Sequence, residues 1–175
     1  LILDVYVGNV VLENLYRPQS VQYTTEEDYV VGTGGTRSVI AYSPTGDRSW
    51  TISSSVIALP EGRGGSAYEL STGNILIAAP AAGSDTSGRL AIISRAAGNI
   101  PLVDLSISGD PVRALPDSDG VHYWVVIYDR VGGGKTSRLM RMTAQGNTNL
   151  IWGVGTLVKP TGLSLLPNGD VLVSE

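Results

Sequence analysis

Cysteine is absent from this 175-residue chain. That excludes disulfides, thiolate metal sites and cysteine nucleophiles, and it leaves the redox compartment open. There is one histidine, and charged residues make up only 16% of the chain with a formal net charge of −4. No basic cluster is present, so nucleic-acid binding has no electrostatic support. No apolar run approaches the roughly 20 residues of a membrane-spanning helix. What is abundant is glycine, with 22 copies beside 9 prolines and 42% hydrophobic residues. Low charge with many glycines marks a chain of strands and tight turns, because such turns need residues that tolerate positive φ. A chain this long buries about 70% of its unfolded surface as one domain.

One pattern dominates. A Gly-Asn or Gly-Asp pair followed by a large apolar residue occurs four times: Gly8-Asn9 with Leu12, Gly46-Asp47 with Trp50, Gly98-Asn99 with Leu102, and Gly146-Asn147 with Leu150. Each follows a strand-like run, at residues 1–7, 38–43, 89–94 and 138–143. The glycines are 38, 52 and 48 residues apart, and a period in the forties fixes architecture before any residue chemistry. Gly-Asx between apolar runs is a hairpin signal. Four further hairpins fall between these, with turns at 24–28, 71–74, 116–120 and 167–170. Pro18, Pro111 and Pro160 stand just before the leading strands, where a missing N–H costs little. No run shows sustained helical spacing.

The unit is therefore four antiparallel strands in about 45 residues, the blade of an all-β propeller. The phase predicts a half-blade at 1–17, blades at about 18–60, 61–109 and 110–158, and a half-blade at 159–175. That is about four blades' worth in a single propeller domain, or a piece of a larger ring. Paired terminal halves would complete a fourth blade. Other completions are residues outside this segment or a second copy of the chain, sharing one ring as a homo-oligomer. The apolar residue after each Gly-Asx is expected to pack between neighbouring sheets. Trp50, which shares its place with three leucines, is expected in the core, and Trp124 and Trp152 in blade packing.

The stretch from Lys159 through Pro160-Thr161-Gly162-Leu163-Ser164-Leu165-Leu166 to Pro167-Asn168-Gly169-Asp170-Val171-Leu172-Val173-Ser174 resembles the start of an NHL-type or sugar-lactonase-like blade. The resemblance extends over nearly the whole chain as blade grammar, which several propeller families share. WD-type signatures are missing. The resemblance implies rings that are often six-bladed and, for lactonases, a divalent cation such as calcium held by carboxylate and amide oxygens in the central channel. Here the channel-facing zones supply Arg17, Ser20, Gln22, Arg63, Ser66, Asp110, Arg113, Lys159 and Thr161, with more cations than carboxylates. No metal or other cofactor is expected on that composition.

Other motifs have plainer readings. Gly132-Gly133-Gly134-Lys135-Thr136 lacks the glycine of a phosphate loop, Asp129 standing in its place, and a strand follows instead of a helix. Gly32-Thr33-Gly34-Gly35-Thr36 occupies the corresponding loop of another blade. His122 begins a strand after the Gly120 turn and is expected to face solvent or the turn. No Gly-x-Ser-x-Gly elbow accompanies it, so no catalytic residue is assigned. Glu26, Glu27 and Asp28 read as a solvated turn.

The loops between second and third strands project to the same face as the blade-to-blade connections. Arg17, Arg63, Asp85, Arg113, Asp129, Arg130 and Lys135 fall there, and mixed charge at a propeller mouth suits a protein partner or a polar ligand. The function read from the sequence is a non-catalytic binding or scaffold propeller. The alternatives are a metal-dependent sugar-lactonase or esterase-like hydrolase, and a structural subunit of a larger surface or particle assembly.

Overall fold

The computed structural model describes residues 2–7, 10–16, 18–33, 38–53, 56–57, 65–97 and 100–175, the first two stretches as backbone alone. The described residues contain sixteen strands and no helix. Strands β3 (Pro18–Tyr23), β4 (Tyr29–Thr33), β5 (Ser38–Tyr42) and β6 (Arg48–Ile52) form one antiparallel sheet in chain order. A second comprises β7 (Ser66–Glu69), β8 (Ile75–Ala79), β9 (Ser87–Ser94) and β10 (Ile100–Ser108). The third comprises β11 (Asp110–Pro116), β12 (His122–Tyr128), β13 (Arg138–Thr143) and β14 (Thr148–Trp152). Two-stranded sheets lie before and after them, β1 (Ile2–Val7) with β2 (Val10–Tyr16), and β15 (Gly162–Leu165) with β16 (Val171–Ser174). The chain is an all-β propeller of about four blades.

The two half-blades are separate sheets, and no ladder joins them among the described residues. Closure of a four-bladed ring by their pairing is therefore not formed here. β15 instead continues the arc, in contact with β11 and β12. First strands touch in succession, β3 with β7, β7 with β11 and β11 with β15, and so line the inner side of the arc.

Composition explains why each middle sheet is buried on both faces. β5 and β8 are wholly apolar or small and wholly buried, the continuous pattern of a strand covered on both sides. Val30, Val39, Ala41 and Ile52 of the first full blade pack against Ala67, Ile75, Ile77, Ala91 and Ile93 of the second. Leu76, Ala78, Leu90 and Ile92 on the second blade's other face meet Ala114, Tyr123, Val125, Ile127 and Met142 of the third. A smaller cluster of Val126, Leu139 and Leu157, with Trp124, Leu163, Val171 and Val173 against it, joins the third blade to β15–β16.

The apolar residues that follow Gly-Asx depart from expectation. Trp50 is partly buried against the core, but Leu102 and Leu150 are exposed. Leu102 is skipped where the β9–β10 register shifts between Pro101 and Val103, and a bulge turns its residue out of the ladder. Leu150 lies on the outermost strand of a blade with no outer neighbour. Trp152 is exposed for the same reason, contrary to the packing role read from sequence. The turns at Gly8-Asn9 and Gly98-Asn99 lie outside the described residues, as do Gly34 to Thr36 and Gly64.

Tyr123 supplies a stability test. Its ring fills the core between the second and third blades, but its hydroxyl has no hydrogen-bond partner among the described residues. Burial pushes the phenol up to about 12. Removing an unsatisfied buried hydroxyl removes its desolvation cost, about 1–3 kcal/mol. Tyr123→Phe should therefore unfold at an equal or higher urea midpoint, and a clear loss of stability would show that the hydroxyl is bonded.

Candidate functional site

Strand alternation sorts the loops into two faces. Blade connections and the loops between second and third strands share one, here the connection face; hairpin turns share the other, the turn face.

On the connection face Arg130 follows β12 and reaches back to the second blade. Its Nε donates to Asp110 Oδ2 at 3.0 Å, and its Nη atoms donate to the carbonyls of Gly83 at 2.8 Å and Asp85 at 2.9 Å. Asp110, buried at the start of β11, also accepts the Ala81 amide at 2.9 Å through Oδ1. Arg130 and Asp110 thus staple the loop at 80–86 onto the third blade. Asp129 organises the glycine-rich loop: its carboxylate accepts the Gly132 amide at 2.7 Å and the Thr136 amide at 3.0 Å. Those bonds, that of Gly132 first, hold its carboxyl below the usual carboxylate range. Ser137 Oγ accepts the Asp129 amide at 3.0 Å, and Gly134 N donates to Asp129 O at 2.6 Å. Lys135 is exposed on this loop.

Between staple and loop lies a cavity of about 210 Å³, lined by Asp85, Ser108, Asp110, Asp129, Arg130 and Gly132 among others. Of the residues predicted from sequence, Asp85, Asp129 and Arg130 meet at this cavity. Lys135 stands on the loop that forms its wall. Arg113 does not join them: it lies half-buried within β11, its Nη1 donating to the Val112 carbonyl at 3.4 Å. Arg17 and Arg63 lie outside the described residues. Of the channel zone, Ser20 and Gln22 are engaged between blades. Ser20 Oγ accepts the Ala67 amide at 2.8 Å and Gln22 Oε1 accepts the Glu69 amide at 2.6 Å.

On the turn face Glu26 and Glu27 are exposed, as a solvated turn requires, but Asp28 is buried, which corrects that reading at this one residue. Arg95, just after β9, donates Nη2 to Glu26 at 2.6 Å and to Asp28 at 2.8 Å, while its Nη1 lies 3.5 Å from Glu69. Glu69 also accepts the amide and hydroxyl of Thr25 at 2.7 and 2.9 Å. Thr24 Oγ1 donates to Asp28 Oδ1, and the guanidinium carbon of Arg95 lies 5.3 Å from the Trp50 ring centroid. Asp28 and Glu69 are buried, and Glu26 is exposed. The turn is drawn down by an arginine from the neighbouring blade. A sequence signal for part of this existed: Glu69 follows Ala67 at the strand period of two, placing a carboxylate on the buried face. Arg95, 26 to 69 residues from its partners, left none.

His122 sits at the turn as expected, but its ring is held. Nδ1 lies 2.6 Å from Asp119 Oδ2, and Nε2 lies 2.6 Å from Asn149 Nδ2. Both ring nitrogens are thus engaged, one with Asp119 and the other with Asn149. Backbone amides of His122 and Val121, then the His122 side chain, hold the Asp119 carboxyl well below the usual range. Arg141 bridges Asp117 and Asp119 at 2.6 Å each and lies over the Trp124 ring.

No protein-family model matches the chain, and no curated protein does. Solved structures do. A protein of unknown function from Bacteroides caccae superposes at a TM-score of 0.60 with 19% identity, over 89% of this chain and 52% of that one. BBS1N in complex with ARL6DN gives 0.56 with 15% identity, over 98% and 51%. A eukaryotic initiation factor gives 0.56 with 9% identity, over 78% and 32%. The chain thus spans about half or less of the chains it resembles. The likeness is one of fold, consistent with the propeller architecture.

Proposed function

We propose that this propeller is a non-catalytic binding or scaffold module that presents its connection face to a protein or polar ligand. The observation that carries this reading is the cavity between the second and third blades, whose lining includes Asp85, Asp110, Asp129 and Arg130. Its walls are tied in advance by Arg130, Asp110 and Asp129, and the exposed Lys135 stands on the same glycine-rich loop. A site whose geometry is fixed before binding loses less conformational freedom on association. Charges at the rim steer and select partners more than they add affinity. BBS1N, similar in fold, has been solved with a protein bound, which accords with a propeller serving as a docking platform.

The staple makes some substitutions poor probes, since reversing Arg130 would loosen the loop as well as change charge. Lys135 and Asp85 are exposed side chains, so they test the face itself. The double reversal Lys135→Glu with Asp85→Lys should abolish affinity capture of partners from the native extract, with the far-ultraviolet spectrum unchanged. A matched reversal on the turn face, at exposed Asp47, should leave capture intact. Partners retained by the first variant and lost by the second would place binding on the opposite face.

A further inference from the structure

One tight turn recurs among the described residues. Its left-handed residue donates an amide to the carbonyl three positions earlier: Glu27 to Thr24, Gly46 to Ser43, Gly73 to Leu70, Gly120 to Asp117, Gly146 to Thr143 and Gly169 to Leu166. The residue just before it is exposed in every copy, and these are Glu26, Thr45, Thr72, Asp119, Gln145 and Asn168. Asn168 alone among them carries an amide one methylene from the backbone, so attack by the next backbone nitrogen closes an unstrained five-membered ring. Gln145 has one methylene more, and Glu26 and Asp119 carry carboxylates, which have no ammonia to lose. The residue after Asn168 is Gly169, with no Cβ to obstruct the attack. Every other asparagine precedes a branched side chain, at Val10, Leu15, Ile75, Ile100, Thr148 or Leu150.

The turn both activates and restrains this group. The Asp170 amide donates to Asn168 Oδ1 at 3.1 Å, where negative charge develops as a nucleophile attacks Cγ. Asn168 Nδ2 donates to the Asp170 carboxylate at 2.7 Å, and the Gly169 amide donates to the Leu166 carbonyl at 2.9 Å. We propose that Asn168 is a site of spontaneous deamidation in the folded protein, gated by the opening of its turn. Once the bond to Leu166 opens, Gly169 N attacks Asn168 Cγ and passes its proton to water. The Cγ–Nδ2 bond then breaks, and the nitrogen takes a proton from water and leaves as ammonia. Water opens the cyclic imide at either carbonyl, which leaves aspartate or isoaspartate at position 168. Either product sets a second carboxylate beside Asp170 where a donor stood, and like charges in contact oppose the turn. Isoaspartate also lengthens the backbone between Leu166 and Asp170, whose amide-to-carbonyl bond of 2.8 Å closes the hairpin. Modification therefore loosens β15–β16, whose Leu163, Val171 and Val173 pack against the third blade.

Peptide mapping by mass spectrometry tests this on the 175-residue protein, held folded at mildly alkaline pH. The amide-to-acid mass gain should appear at Asn168 before any other asparagine, with isoaspartate among the products. Asp170→Ala frees the Asn168 side chain, so it should speed both Gly169 amide exchange and deamidation by about threefold or more. Asn168→Thr, which copies Thr72 of the second blade's turn, should abolish the reaction with the far-ultraviolet spectrum unchanged. An Asn168 that stays intact in the folded protein while the urea-unfolded chain converts overturns the proposal. So does earlier conversion at another asparagine, or a rate that fails to follow Gly169 exchange.

Discussion

Arg95→Leu should lower the unfolding free energy by about 3–5 kcal/mol, the cost of removing one partner from a buried ion pair. The geometry decides this magnitude. The Arg95 side chain is 7% exposed and its partners Asp28 and Glu69 are 9% and 5% exposed. Without the guanidinium, two carboxylates remain out of water with only neutral donors. Glu26, 61% exposed, recovers its hydration and contributes little to the loss, as surface pairs are worth at most about 1 kcal/mol. Lost packing of Arg95 over Trp50 adds a smaller increment, about 0.5–2 kcal/mol. Urea titration with a double-mutant cycle separates these terms. Asp28→Asn in the Arg95→Leu background should restore part of the stability, because it removes a stranded charge. If Arg95→Leu costs under about 1 kcal/mol and the cycle shows no coupling, the network is solvated and the bridge between blades carries no weight.

That hub also shows where the sequence was legible. The blades were readable because every hairpin announces itself locally, through Gly-Asx or Pro-Asx-Gly between apolar runs. Local signals of that kind do not depend on distant residues. The connection-face loops follow from the same grammar, and Asp85, Asp129, Arg130 and Lys135 fall on them by sequence position alone. What those charges do was hidden, because Arg130 spends its donors on carbonyls 45 and 47 residues away. Asp28 reads as solvent-facing with Glu26 and Glu27 since three acids in a turn are ordinarily hydrated, but its counter-ion arrives from the neighbouring blade and buries it. Trp152 misled in the opposite direction: its residue type argues for burial, and its exposure follows from what stands beside its sheet. Contacts between blades are set by the repeat's stacking, which a one-dimensional pattern specifies only up to the identity of the facing side chain.

Stacking distance is the subject of the second large effect. Gly88 lies in β9 where the second blade crosses the start of the third, and its amide donates to the Gly109 carbonyl at 2.8 Å. A methyl group added there would fall 2.3 Å from Pro111 Cδ and 2.5 Å from the Ala79 carbonyl oxygen. Neither neighbour can swing aside, since one belongs to a closed ring and the other to the backbone of β8. Relief requires the two blades to separate, and that opens the packing of Leu90, Ile92, Ala114 and Ile127. Gly88→Ala should therefore cost about 3 kcal/mol, the upper range for overpacking. Gly73 provides the control, at φ 77° in an open turn with nothing within 4 Å of an added carbon. Gly73→Ala meets only the left-handed backbone penalty, about 1–2 kcal/mol. Thermal unfolding of the two variants should rank them in that order, with the Gly88 variant also losing protection at the Gly109 amide. Equal midpoints would mean that the blades yield at small cost, and the propeller would then be a softer ring than its packing implies.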